Sequence, residues 1–109
     1  MPFEMANLKP DATGIGAYVH VFQDVDARAK HGPRIKVFPG RPREGNATTI
    51  AVPAHPSDKA RVIGKATVRG KVLRRALRFV DLNWQTLALA WWSSEYSTQD
   101  LLAEMRPVK

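Results

Sequence analysis

The sequence predicts a single α+β domain, built as a small, mainly antiparallel sheet of about four strands followed by C-terminal helices that pack on it. Three observations lead there. At 109 residues the chain has the length of one ordinary domain and no room for a second core. Four short β-rich runs follow one another through turn-rich connections, and successive strands joined in this way pair antiparallel. After Gly70 the apolar residues stop alternating and recur at helical spacing.

The elements follow in order. Residues 1–13 hold Pro2 and Pro10 without sustained periodicity, and are expected as a flexible N-terminal arm before a domain over 14–109. Residues 17–22 form the first expected strand. Tyr18, His20 and Phe22 share one face, Ala17, Val19 and Val21 the other, and so apolar a pair of faces implies cover on both sides. Residues 34–38 give the second strand, with Ile35 and Val37 inward and Arg34 and Lys36 outward. The Pro- and Gly-rich stretch 39–46 is a loop. Residues 48–52 give the third strand, stopped by Pro53, and 61–68 the fourth, weakened at Gly64.

Val72, Leu73, Ala76, Leu77 and Val80 then form the apolar side of a helix whose opposite side carries Lys71, Arg74, Arg75 and Arg78. At about 100° per residue the four bases share one stripe. Extending the same wheel puts Leu82, Leu89 and Trp92 on the basic side, while Leu87 and Trp91 stay with the core. Either the chain breaks near Asn83, a good N-cap residue, and starts a reoriented helix, or one long helix carries a second apolar stripe that a partner covers. The capping residue favours the break. Ser97-Thr98-Gln99-Asp100 is a capping-box variant that starts a last helix over 98–105, ended by Pro107.

Charge is the most informative part of the composition. The net charge of +7 is unevenly spread: one base and four acids in residues 1–27, fourteen bases and two acids in 28–78, two bases and four acids in 79–109. Segregation of this kind creates a field attractive to a polyanion. The bases fall in two sets: Arg28, Lys30, Arg34, Lys36, Arg41 and Arg43 in loops and a strand, and Lys71, Arg74, Arg75 and Arg78 on the helix. No recognition-helix, zinc-finger or stacking motif accompanies them, and Phe38 is the only aromatic among them, so binding is expected to be electrostatic rather than base-specific.

Other chemistry is sparse. There is no cysteine, which excludes disulfides, thiolate metal sites and a thiol nucleophile. Of the histidines, His20 in an apolar strand reads as a packed residue, and His31 and His55 as surface residues. None lies at metal-pair spacing, and no metal or cofactor is expected. His31, beside Lys30, Arg34 and Lys36, is a weak candidate for the general base of a metal-independent ribonuclease. Asp24 and Asp26 are too few for a hard-cation site, and Gly14 and Gly16 precede a strand instead of following one, unlike a dinucleotide fingerprint. No segment reads as a signal peptide or membrane span, so a soluble cytoplasmic protein is expected, without membrane partners.

The segments Tyr18-Val19-His20-Val21-Phe22-Gln23-Asp24 and His31-Gly32-Pro33-Arg34-Ile35-Lys36-Val37, with Leu73-Arg74-Arg75-Ala76-Leu77-Arg78, a tryptophan at 91 or 92, and Met105-Arg106-Pro107-Val108, resemble an uncharacterised family of small bacterial proteins. That family carries a His-Pro-Pro-His-x-His segment and an Arg-Arg-Ala-Leu helix. The resemblance runs through short motifs across residues 15–108. It implies a second small protein encoded beside this one, in an arrangement like a toxin–antitoxin pair. Where the family places its last two histidines this chain has Arg34 and Lys36, which keeps charge and removes acid–base groups. Three readings result: a toxin–antitoxin-like component that binds nucleic acid or an acidic protein, a nuclease using His31, and a non-catalytic interaction or inhibitor protein, possible as a homodimer, whose contact surface includes Leu89 and Trp92.

Overall fold

The computed structural model describes residues 3–23, 32–40, 46–93 and 97–108. The elements are β1 (Phe3–Leu8), α1 (Pro10–Thr13), β2 (Val19–Gln23), β3 (Arg34–Val37), β4 (Thr48–Ala51), β5 (Arg61–Ile63), α2 (Gly70–Trp92) and α3 (Thr98–Glu104). The strands form one antiparallel meander in the order β1-β2-β3-β4-β5. The expected α+β class and antiparallel sheet with C-terminal helices are present.

Two expectations need correction. The sheet has five strands, because the supposed N-terminal arm supplies β1, paired along β2 from Leu8↔Val19 to Phe3↔Gln23. A register shift between Glu4 and Ala6 interrupts its alternation, which hides the strand from a period-two reading. The last strand is shorter than expected. It stops at Ile63, and Gly64 turns the chain with φ of 77°, a conformation that suits glycine. Residues 67 and 68 return to the sheet differently: the Thr67 and Val68 amides donate to Thr48 Oγ1 at 2.6 and 2.9 Å.

Register explains the core. Val19 pairs with Val37, Val21 with Ile35, and Ile35 with Ile50, so one sheet face is a continuous aliphatic layer, fully buried. Burial of each such side chain contributes about 1.5–3 kcal/mol. Helix α2 packs across β2 and β3, bringing Ala76, Phe79, Val80, Leu87 and Ala90 onto this layer. The opposite face is also occupied at its centre. His20 is 2% exposed, with its ring 4.6 Å from Phe38 and 6.2 Å from Phe22, while Tyr18 and Phe22 on the same face are half-buried.

The expected break in α2 is a kink without a connecting loop. Asn83 leaves helical geometry at φ −116°, ψ 18°, and the helix resumes directly after it. Asn83 is not a solvent-facing N-cap. It is buried; its Nδ2 donates to the carbonyls of Phe79 at 2.9 Å and Arg106 at 2.8 Å, and its Oδ1 accepts from the Arg106 amide at 2.7 Å. The side chain thus clamps the C-terminal tail to the kink. Further along, the Val108 amide donates to the Thr13 carbonyl at 2.8 Å. Gly14 (φ 77°) lies so close to the Val108 carbonyl that no Cβ fits there. Helix α3 opens on the expected capping box, with Asp100 N–H donating to Ser97 Oγ at 3.1 Å and Ser97 N–H to Asp100 Oδ2 at 2.9 Å.

Candidate nucleic-acid interface

The sequence divides the bases into two sets, and the structure treats the sets differently. On α2, Lys71, Arg74 and Arg78 are exposed and Arg75 is half-buried. The spacing of three, four and seven residues stacks them on the side of the helix turned away from the sheet, where they line a shallow groove of about 390 Å³. No described carboxylate forms an ion pair with any of the four.

This placement works against the helix that carries it. The first four amides of a helix lack partners, and its N-terminus bears partial positive charge. Acidic residues and side-chain acceptors normally relieve both. Here the N-cap is Arg69 with no side-chain cap bond, and the first turn holds no acid. Like charges at these spacings also repel one another. A cation in the first turn of a helix is unfavourably placed, and of the four bases Lys71 occupies that turn.

The strand set is bound up in packing. The β3 alternation is as expected, with Ile35 and Val37 buried and Arg34 and Lys36 half-buried. Yet the Arg34 guanidinium stands over the Trp91 ring, 5.1 Å from its centroid, and Lys36 Nζ lies 5.6 Å from the centroid of Phe22. Both are cation–π distances. Arg34 therefore ties the start of β3 to the end of α2, where Trp91 is buried, and is not simply an outward phosphate contact. Arg28, Lys30, His31, Arg41 and Arg43 lie outside the described residues.

Sequence reasoning passed over Arg106. Its backbone is held by Asn83, and its side chain is exposed beside Arg78, the two lining a second cleft of about 630 Å³ with Asp81, Leu82, Pro107 and Val108. Arg78 is thus common to both hollows, and the basic surface runs from Lys71 to Arg106. Nothing local in the sequence signals this, because 28 residues separate Arg78 from Arg106 and only the Asn83 clamp unites them. His55 is exposed, as expected. Leu89 and Trp92 are each 49% exposed and Leu82 47%.

Among the described residues no group of three or more His, Asp or Glu side chains is placed to hold a metal ion. No helix among the described residues is long and apolar enough to cross a membrane. No protein-family model, curated protein sequence or solved structure matches the chain.

Proposed function

We propose that the protein binds nucleic acid through the basic stripe of α2, in a manner governed by backbone charge rather than base sequence. The observation that carries the reading is the row Lys71, Arg74, Arg75 and Arg78 along one side of α2, with Lys71 in a first turn that holds no acid and with no acidic partner for any of the four among the described residues. The buried sheet side of α2 fixes the stripe rigidly, so the ammonium and guanidinium groups meet phosphates without much loss of backbone freedom. The motif resemblance adds a context: one component of a toxin–antitoxin-like pair, whose second small protein, if acidic, would compete for the same stripe.

The test is fluorescence anisotropy with a mixed-sequence DNA duplex over a salt series. Four phosphate contacts give a slope of log K against log salt of about −3.6. Arg74→Gln with Arg78→Gln is expected to reduce the magnitude of that slope by about 2, and scrambling the duplex sequence to change little. Binding that is insensitive to salt, or equal in the double variant, overturns the proposal.

A second reading rests on a different observation. From Leu82 to Trp92 helix α2 has no charged residue, and Leu82, Leu89 and Trp92 remain about half exposed. Such a face suits a protein contact, with a second copy of this chain or with a partner. Sedimentation of the wild type and of Trp92→Ala checks it: association in the first and a folded monomer in the second supports the reading, and a wild-type monomer at all concentrations with no partner recovered removes it.

A further inference from the structure

The cleft between α2 and the C-terminal tail has the make-up of a ligand site that shares Arg78 with the basic stripe. Leu82, Pro107 and Val108 supply apolar lining, and Arg78 on α2 and Arg106 on the tail supply positive charge. Its volume of about 630 Å³ falls within the range of small-molecule sites. The walls are fixed before any ligand arrives. Asn83 holds the Arg106 backbone through two hydrogen bonds, the Val108 amide is bonded to Thr13, and Asp81 Oδ1 accepts from the Ala60 amide at 2.7 Å. Neither guanidinium has an ion-pair partner among the described residues.

We propose that this cleft binds a small amphipathic anion, an organic carboxylate or sulfonate with an apolar body. Its head group lies between Arg78 and Arg106, and its body covers the half-exposed Leu82. Charge complementarity selects the head: two cations face one carboxylate, and that carboxylate is already engaged by a backbone amide. The apolar lining selects the body, since it offers a bare inorganic phosphate nothing. The inference does not depend on nucleic-acid binding, although Arg78 is common to both surfaces.

The probe is 8-anilinonaphthalene-1-sulfonate, followed by fluorescence, with octanoate and octanol as competitors. One dye per chain is expected, displaced by octanoate and not by octanol. Arg106→Ala is expected to weaken binding about tenfold, the effect of losing one charge-assisted hydrogen bond. Its fold is safe because the Asn83 clamp uses only main-chain atoms of Arg106. Asp81→Asn keeps an acceptor for Ala60, removes the negative charge, and is expected to tighten binding. Leu102→Ala, at an exposed leucine outside the cleft lining, is expected to leave binding unchanged. Equal displacement by octanol, dye binding indifferent to both Arg106→Ala and Asp81→Asn, or loss of binding in Leu102→Ala would overturn the proposal.

Discussion

Asn83 is an asparagine buried in the middle of a helix, where an amide side chain is costly unless its polar atoms find partners. Both ends of its amide do so, the oxygen on the Arg106 amide and the nitrogen on two carbonyls. This makes the sign of one substitution informative. Alanine is the best helix former, so if the kink were only local strain, Asn83→Ala would stabilise α2. The clamp instead implies a loss of about 2–3 kcal/mol, since the Arg106 amide loses its acceptor and the Phe79 and Arg106 carbonyls lose a donor. Denaturant unfolding measures the loss. Amide exchange at Arg106 and Val108 is expected to quicken beyond what global destabilisation produces. The sequence pointed to residue 83 through the shift in its apolar wheel, but not to this role, because the tail that Asn83 holds lies 23 residues further on.

At the scale of elements, what the sequence revealed depended on how local the signal was. The capping box of α3 was legible because all its partners lie within four residues, and both of its hydrogen bonds are present. Those bonds hold the Asp100 carboxyl below its ordinary value, first through the Ser97 backbone amide and then through the Ser97 side chain. The consequence for pH has a definite sign. A lowered folded-state value stabilises α3 at pH above the unfolded carboxylate range, and that contribution disappears as pH falls through the folded value. Acid titration of the wild type against Asp100→Asn checks this: the difference between their melting temperatures is expected to be largest near neutral pH and to shrink as the pH falls through the folded-state value. By contrast, β1 was illegible, since its bulge erases the alternation and α1 lies between it and its partner β2. The strand cations Arg34 and Lys36 were placed on the correct face, but their aromatic neighbours were not foreseen. Phe22 comes from another strand, and Trp91 from a helix 57 residues away.

Over the whole molecule, the proposed binding reading turns the uneven charge of the sequence into a conflict between stability and binding. Residues 28–78 carry most of the bases, and α2 lines up Lys71, Arg74, Arg75 and Arg78 along one side, with Lys71 in the first turn and Arg75 half-buried. If that surface exists to meet a polyanion, the same cations should burden the free protein. Lys71→Glu separates the two effects. It puts an acid in the first turn of α2 and removes repulsion with Arg74 and Arg75, so at low salt it is expected to raise stability by about 0.5–1 kcal/mol. High salt should erase most of that gain through screening, and binding to the duplex should weaken at every salt concentration. Thermal unfolding and anisotropy on the same samples give both quantities. A variant that is less stable at low salt would mean the stripe is held by interactions that favour the cations, and the charge-conflict account would fall. A more stable variant with undiminished duplex affinity would leave the stripe as a solvated helix face, and move the search for the nucleic-acid contact elsewhere on the molecule.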